Sequence, residues 1–223
     1  MKDQSSTTDP WSRLVRFGFQ QLYTRFAWAY DAAAAGVSFG EWLEWGRCAI
    51  PFLRGRRILE LAHGPGHLHV TLRAQGLDVT SIDLSAQMSA RARRRVVAVH
   101  GSAHVNLHLA RANACRLPFR DATFESVVST FPTNFIVMPE ALSEARRVLE
   151  PGGRLVVALS FGMDRKGLPE RMVAGLYGVI SGRASDGDGP RFDERLLEAG
   201  FLPDVEIVET RHADIAVWVC QAL

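Results

Sequence analysis

Two acidic residues, Glu60 and Asp83, stand at the ends of two consecutive apolar stretches, and a glycine-rich turn lies between them. The stretches 57–61 and 78–83 have the length and apolar character of buried strands. The turn at 62–66, Ala-His-Gly-Pro-Gly, precedes a predicted helix, an arrangement in which backbone comes close to a ligand. An acid ending the second strand is placed to accept hydrogen bonds from ribose hydroxyls. These features predict a site for an adenosine-containing ligand.

The turn departs from the dinucleotide-binding fingerprint G-x-G-x-x-G. Gly64 and Gly66 supply the first two glycines, but His69 occupies the third position. A nicotinamide-dependent oxidoreductase is therefore the less favoured alternative. Such an enzyme would also be expected to continue with parallel units, whereas this chain ends in two closely spaced strands predicted at 205–209 and 215–220.

The central part of the chain alternates between predicted strands and helices, which indicates a parallel sheet with helices on both faces. The predicted strands are 57–61, 78–83, 105–111, 126–130 and 154–160, and the predicted helices are 66–75, 85–99 and 139–149. Gly76 is expected to stop the first helix and Ser85 to cap the second. A helix at 168–181, a loop at 182–190 and a helix at 192–201 closed by Gly200 are predicted before the last two strands.

Four sequence blocks, in order, resemble one enzyme family. Glu60-x-Ala62-x-Gly64-x-Gly66 is similar to the family's first motif, Glu-x-small-x-Gly-x-Gly. Residues 112–119 and 121–128 are similar to its G-D-A-x-x-L-P-F-x-D-x-x-F-D-x-V stretch, and 144–155 to its E-x-x-R-V-L-K-P-G-G segment. Over about 57–160, the chain thus resembles the class I S-adenosylmethionine-dependent methyltransferases, in particular the small-molecule branch that includes ubiquinone/menaquinone-type methyltransferases.

The resemblance implies both a fold and an activity. The fold would be α/β, a Rossmann-like doubly wound seven-stranded sheet, mostly parallel, with an antiparallel C-terminal strand between the fifth and sixth and an N-terminal helical cap. The cofactor would be S-adenosyl-L-methionine, whose methyl group would move by in-line displacement to a small, apolar or aromatic molecule. A catalytically silent S-adenosylmethionine-binding module is the alternative within the same fold.

The resemblance also assigns cofactor contacts at the carboxyl ends of the strands. The turn would lie beside the methionine end and contact it through backbone amides. Asp83 would hold the ribose diol, and Glu60 would either orient the amino group or brace the turn. Leu84 and Met88 would flank the adenine, and Asn113 would contact its amino group. The predicted cofactor-binding residues are Glu60, Ala62, His63, Gly64, Gly66, Asp83, Leu84, Met88, Asn113, Ala114 and Thr130.

Two of these positions differ from the family pattern. Ala62 stands where the family usually has its first glycine, and a left-handed backbone there would cost on the order of 1 kcal/mol. Ordinary backbone angles are therefore predicted at Ala62. Asn113 stands where the family has an aspartate, but its side-chain oxygen can still accept a hydrogen bond from the adenine amino group.

Candidates for catalysis are His63 in the turn and Tyr30 in an aromatic-rich segment. A general base is needed only when the acceptor arrives protonated. His63 could serve as that base or as a hydrogen-bonding scaffold, and Tyr30 could line the substrate pocket or simply pack. No metal site is predicted, because neither an acid nor a cysteine completes a set with His63, His67 and His69.

Length and composition indicate one globular domain of 223 residues, of which 47% are hydrophobic. The predicted organisation is a disordered tail at 1–10 and a single domain at 11–223, divided into a helical cap at 11–53, a cofactor-binding core at 54–160, and a helical cover with a C-terminal hairpin at 161–223. A net charge of +2 gives no case for a nucleic-acid partner.

The polar N-terminus and the absence of a long apolar run predict a cytoplasmic protein without stable membrane insertion. Three isolated cysteines indicate neither a disulfide framework nor a zinc ribbon. The expected partner is a small-molecule substrate. The sequence assigns neither the acceptor atom nor the oligomeric state.

Overall fold

A computed structural model describes residues 41–101, 107–163 and 192–223. Its strands are β1 (Arg57–Leu61), β2 (Asp78–Asp83), β3 (Leu109–Arg111), β4 (Phe124–Thr130), β5 (Leu149–Met163), β6 (Phe201–Glu209) and β7 (Ala213–Ala222). Its α-helices are α1 (Trp42–Arg47), α2 (His67–Ala74), α3 (Ala86–His100), α4 (Pro139–Val148) and α5 (Phe192–Glu198). Short 3-10 turns occupy Ile50–Phe52 and Asn134–Val137.

The seven strands form one sheet with the order β3-β2-β1-β4-β5-β7-β6. The pairs β1–β2, β2–β3, β1–β4 and β4–β5 are parallel, and β7 is antiparallel to both β5 and β6. The chain moves outward from β1 to β3 and then returns to β4 on the other side of β1. This reversal puts the topological switch point between β1 and β4, where α/β sheets open a ligand crevice. The predicted doubly wound sheet, with its antiparallel last strand, is confirmed.

Both faces of the sheet are covered, which explains why the central strands are almost continuously apolar. Successive side chains of β1 point to opposite faces. Ile58 packs in one buried cluster with Leu72 of α2, whereas Leu59 packs in a second cluster with Leu142 of α4. Glu60 shares the Ile58 face, so its carboxyl group points toward α2 and not into the α4 layer.

Ser85, Gly76 and Gly200, which were expected to bound helices, lie at helix ends in the structure. The Ser85 hydroxyl accepts a hydrogen bond from the backbone N–H of Met88 at 3.3 Å and caps α3. Gly76 follows α2 with a φ of 78°, and Gly200 follows α5 with a φ of 82°. These left-handed conformations end helices and favour glycine.

Several strands differ in length from the prediction. β5 begins at Leu149 because that residue pairs with Phe124 before the ladder becomes irregular. β6 begins at Phe201 and continues through Pro203. Proline lacks the N–H that a central strand needs, but an edge strand such as β6 tolerates it. β3 begins at Leu109, so residues 107 and 108 of the predicted strand lie before it, and residues 105 and 106 lie outside the described part of the chain.

Arg147 of α4 holds the loop that leads into β4. Its guanidinium donates to the carbonyl oxygens of Leu117 at 3.1 Å and Phe119 at 2.8 Å, and to the carboxylate of Glu144. These bonds favour the charged form and raise the pKa of Arg147 further above its usual value, with the Glu144 bond as the main cause. The two sequence blocks at 112–119 and 144–155 are therefore joined through one side chain.

Some predictions fall on residues outside those described. These are the tail at 1–10, most of the cap including Tyr30, the helix at 168–181 and the loop at 182–190. In the ranges 41–101, 107–163 and 192–223, none of the helices has the length and apolar character required to cross a bilayer.

Candidate active site

The turn after β1 has three residues in left-handed backbone conformations. The φ values are 57° at Ala62, 53° at Gly64 and 82° at Gly66. The prediction of ordinary backbone angles at Ala62 is therefore wrong. The chain must reverse direction immediately after β1, and alanine carries the smallest side chain that suffers from this conformation, at a cost of about 1–2 kcal/mol. The backbone N–H of His63, which donates to the Ile82 carbonyl at 3.1 Å, helps to hold the turn in place.

The two glycines are required for different reasons. A Cβ added at Gly66 would lie 2.7 Å from the Cβ of Ala92, so the absent side chain lets the turn approach α3 closely. A Cβ added at Gly64 would meet no atom within 4 Å. Gly66 is thus a packing residue, whereas Gly64 faces open space where a ligand can come close to the backbone.

Asp83 fastens this turn to the end of β2. Its carboxylate accepts hydrogen bonds from the backbone N–H of Gly64 at 2.9 Å and of Ser85 at 2.7 Å. The backbone N–H of Gly66 donates to the His63 carbonyl. The amides of His63, Gly64 and Gly66 are therefore already used within the protein, contrary to the expectation that they lie open to the cofactor.

Glu60 lies beneath the turn in a buried polar chain. Its Oε2 lies 2.6 Å from the Ser81 hydroxyl, and Ser81 Oγ lies 2.7 Å from Nδ1 of His69. The three residues are 2%, 0% and 0% exposed. Burial, supported by the nearby Asp83 charge, raises the pKa of Glu60 to about 8, although the Ser81 hydrogen bond opposes the shift. Burial therefore favours the neutral form of the Glu60 carboxyl group.

His63 is also buried, at 4% exposure, and its ring is oriented by the turn. Nδ1 lies 2.7 Å from the carbonyl oxygen of Gly64, so Nδ1 carries the proton, because a carbonyl can only accept. Nε2 then has a lone pair and has no hydrogen-bond partner among the described residues. Burial lowers the pKa of His63 below its ordinary value despite the opposing charge of Asp83. The neutral ring has the form that a general base requires.

A cavity of about 240 Å³ opens beside these groups, between the turn and α1. Its lining includes Glu60, Ala62, His63, Gly64 and Thr130. Its lining also contains an aromatic pair: Trp42 of α1 packs against Phe131 with ring centroids 4.5 Å apart and an angle of 37° between the ring planes. Phe131 follows β4 in a left-handed conformation, with a φ of 49°. Strained residues therefore follow β1 and β4 at the switch point.

The adenine side is more open than the turn. Leu84 is 62% exposed after β2, whereas Met88 is fully buried and offers no surface to a ligand. Of the two residues expected to flank the adenine, Leu84 therefore has exposed surface and Met88 has none. The Asn113 side-chain oxygen accepts a hydrogen bond from the backbone N–H of Cys115 at 2.9 Å, and Ala114 is partly buried beside it.

Comparison with known proteins decides the family. A methyltransferase-domain family model matches residues 59–157. A demethylmenaquinone methyltransferase from Thermus thermophilus is 36% identical over 174 residues, which cover 72% of this chain and 77% of the relative. The chain belongs to the class I S-adenosylmethionine-dependent methyltransferases. A ubiquinone/menaquinone biosynthesis C-methyltransferase from Geotalea daltonii is 30% identical over 153 residues, covering 66% of this chain and 64% of that relative.

Solved structures of methyltransferases share the fold. An S-adenosylmethionine-dependent methyltransferase from Methanosarcina mazei is 21% identical with a TM-score of 0.56, over 79% of this chain and 97% of its own. A geranyl diphosphate C-methyltransferase from Streptomyces coelicolor, in complex with S-adenosylhomocysteine, is 15% identical with a TM-score of 0.57, over 81% and 79%. At these identities the likeness supports the architecture alone.

The site of this methyltransferase fits S-adenosylmethionine. Open space lies above Gly64, the carboxyl group of Glu60 lines the cavity below it, and the Asp83 carboxylate ends the neighbouring strand. Trp42 belongs to the aromatic-rich segment that also contains Tyr30, and Phe131 directly follows the predicted strand 126–130.

Proposed function

We propose that this methyltransferase transfers the methyl group of S-adenosylmethionine to a small aromatic acceptor of the quinone type. The observation that carries the proposal is a cavity lined by both polar groups and an aromatic pair. Glu60, His63 and Gly64 are among the polar groups, and Trp42 and Phe131 form the aromatic pair. A planar, apolar ring would pack against the aromatic pair with its ionisable oxygen toward His63. The names of the curated relatives support the same acceptor class.

The cofactor would span the ends of three neighbouring strands. We assign its methionine end to Glu60 and to the open face of Gly64, and its ribose to Asp83. We assign the adenine to Leu84, Asn113 and the partly buried Ala114. Ala62 and Thr130 line the same cavity, which supports their place in the set.

S-adenosylmethionine supplies a methyl group that is already activated by its sulfonium. The remaining work of the protein is to align the acceptor, which can supply roughly 7–11 kcal/mol of the barrier, and to exclude water. His63 would take a proton from a phenol or an acidic carbon of the acceptor through Nε2. The Gly64 carbonyl, hydrogen-bonded to Nδ1, would hold the ring in that orientation.

A second candidate function is a silent cofactor-binding module. The left-handed Ala62 and the internally bonded amides of the turn favour it, since the turn offers fewer donors than expected. Such a module would bind S-adenosylhomocysteine but methylate no acceptor.

The test uses purified full-length protein, methyl-labelled S-adenosylmethionine and 1,4-dihydroxynaphthalene as a planar, ionisable acceptor, with mass spectrometry as the readout. We expect labelled product with this acceptor and none with a small polar amine. Binding of S-adenosylhomocysteine without methylation of any aromatic acceptor would favour the silent module. Failure to bind would contradict both functions.

The variant His63→Gln distinguishes two roles of His63, a general base and a residue that only supports the turn. Loss of a general base lowers kcat by about 100-fold or more, and the affinity for S-adenosylhomocysteine should change by less than about threefold if only the proton acceptor is lost. His108→Asn, near β3, is the matched control. Parallel losses in kcat and affinity would assign His63 to the scaffold.

We further infer a cytoplasmic protein that binds no nucleic acid. The support is a net charge of +2 and three cysteines that are all free, as is usual in a reducing compartment. The division into cap, core and cover remains a prediction.

A further inference from the structure

Glu60, Ser81 and His69 form a buried chain of hydrogen-bonded side chains. A direct contact with the cofactor would need Glu60 alone. Glu60 and Ser81 are register partners on β1 and β2, and His69 comes from α2 above them. The separations of 2.6 Å and 2.7 Å are both within hydrogen-bond distance. His69 occupies the third position of the glycine fingerprint, where a side chain is not expected. Here that side chain contacts Ser81, which in turn contacts Glu60 near the end of β1.

His69 gives the chain a second arrangement of its hydrogens. Each of the two hydrogen bonds needs one hydrogen, and Ser81 has only one to give. When Glu60 is protonated, it donates to Ser81, and Ser81 donates to the Nδ1 lone pair of His69. When Glu60 is ionised, Ser81 donates to Glu60, and a proton on Nδ1 of His69 donates to Ser81. Both states contain a neutral imidazole, and they differ by one proton and by the tautomer of His69.

The chain can therefore satisfy Glu60 in either ionisation state. An unsatisfied buried polar group costs about 1–3 kcal/mol, so most buried acids are fitted to one state only. In this protein the imidazole is donor in one state and acceptor in the other. Ionisation of Glu60 thus leaves no broken hydrogen bond in the chain.

The surroundings make the ligand-free protein favour the neutral acid. Asp83 on β2 repels a second negative charge, and β4 presents Val128 next to Glu60. His63 in the turn is neutral because burial lowers its pKa. The cations near the cavity, Arg47 of α1 and Arg95 of α3, line the same space, with Arg95 bonded to the Pro65 carbonyl. A positive group placed against Glu60 would reverse this balance.

We propose that Glu60 is a proton-exchange site for the cationic amino group of the cofactor, and that Ser81 and His69 are positioning residues that keep it satisfied before and after ionisation. On binding, the Glu60 O–H bond breaks, one proton passes to the solvent, and His69 changes from the Nε2–H to the Nδ1–H tautomer. The inference rests on the proposed function, since it places the methionine end of the cofactor beside Glu60.

Titration calorimetry with S-adenosylhomocysteine, which keeps the amino group of the cofactor, measures how many protons are released on binding. Titrations at pH 7 in phosphate and in Tris should differ in heat by the release of close to one proton per site. The affinity should rise by about tenfold per pH unit between pH 6 and pH 8 and then level off. Glu60→Gln should release none. Binding with buffer-independent heat would overturn the inference while leaving the proposed function intact.

Two further variants test the positioning residues in opposite directions. Ser81→Ala removes the hydroxyl that stabilises the carboxylate, so the pH range over which the affinity rises should move to higher pH. His69→Leu leaves the Ser81 hydrogen without an acceptor in the neutral state, so this pH range should move to lower pH. Ser126→Ala, at a buried serine of β4 that donates to the Arg54 carbonyl, is the matched control and should not move it. Shifts in the same direction would overturn the role of His69.

The tautomer is visible without any variant. In ¹⁵N-histidine-labelled protein, the two ring nitrogens of His69 should exchange their protonated and unprotonated chemical shifts when S-adenosylhomocysteine is added. A ring that keeps its tautomer while the ligand binds would overturn the inference. The absence of any binding would instead contradict the proposed function, and the proton exchange with it.

Discussion

Glu60 and Asp83 end neighbouring strands of the same sheet, but their carboxyl groups have opposite surroundings. Asp83 accepts hydrogen bonds from two backbone N–H groups, those of Gly64 and Ser85. Glu60 has one hydroxyl, that of Ser81, and a raised pKa of about 8. Burial is the main cause of the raised pKa of Glu60. The same residue class at two adjacent strand ends is thus prepared for two different tasks.

The difference follows from the direction of each side chain. Asp83 is the last residue of β2. Its carboxylate therefore lies between a backbone amide of the turn after β1 and one that follows β2. Glu60 is the penultimate residue of β1 and points toward α2, the side of the sheet on which Leu68 and Leu72 belong to the buried apolar cluster. Asp83 therefore holds the turn in place, whereas Glu60 is proposed to bind a positively charged group. Four substitutions test this contrast.

Asp83→Ala should have the largest effect. It removes the proposed ribose contact and leaves the amides of Gly64 and Ser85 without their acceptor. Hydrogen bonds to a charged group contribute about 1.5–3 kcal/mol each, so the affinity for S-adenosylhomocysteine should fall by about 100-fold or more. Calorimetry measures this loss. Asp78→Ala, at the exposed opposite end of β2, is the control, and equal losses in the two variants would contradict the assigned role.

Glu60→Gln should change the pH dependence of stability. The folded state raises the pKa of Glu60 from 4.5 to about 8, so its contribution is fully present below pH 4.5 and is lost as the pH rises toward 8. Stability of the ligand-free protein should fall by up to about 1.4 kcal/mol per pH unit in this window, and the variant should remove that slope. Urea unfolding between pH 5 and pH 8 measures it.

Other carboxylates act in a separate pH window. The pKa of Glu144 is lowered, chiefly by its hydrogen bond from Arg147, and that of Glu125 by backbone N–H donors from Arg57 and Arg56. Their contributions are present above the ordinary value of 4.5 and are lost as the pH falls below it. Glu140→Gln, at an exposed residue of α4, is the control for Glu60→Gln. An unchanged slope in Glu60→Gln would mean that Glu60 is ionised in the folded protein.

The fold of the described residues could largely be predicted, but the internal use of the site residues could not. Apolar runs, glycines and caps such as Ser85 are local signals, and they predicted the strands and helices, whereas the place of the last strand between the fifth and sixth came from the family resemblance. The occupied amides of the turn depend on where Asp83 points, and the Glu60–Ser81–His69 chain joins three elements. Neither leaves a local pattern in the sequence. The left-handed Ala62 was mispredicted for a related reason, because strain can be tolerated when neighbouring contacts hold the turn.

Ala62→Gly should stabilise the protein slightly. Glycine removes the left-handed strain of about 1–2 kcal/mol and adds about 0.5–1 kcal/mol of backbone entropy cost, which leaves a net gain below about 1.5 kcal/mol. The thermal midpoint should rise by a few degrees at most, as measured by calorimetric scanning. Ala90→Gly, at an exposed position within α3, is the matched control and should destabilise by about 1 kcal/mol. If both variants destabilise equally, Ala62 is unstrained.

Asn113→Asp should have the smallest effect and extends the contrast to the third strand. The Asn113 oxygen already accepts a hydrogen bond from the Cys115 N–H, so an aspartate would keep that bond and present a second oxygen to the adenine amino group. Because the position is exposed, the added charge is screened, and the affinity for S-adenosylhomocysteine should rise by only about two- to fivefold. Asp121→Asn, on the Arg147 side of the same loop, is the control. A gain as large as the loss in Asp83→Ala would mean that the adenine end dominates binding, and would place the main anchor of the cofactor after β3 instead of β2.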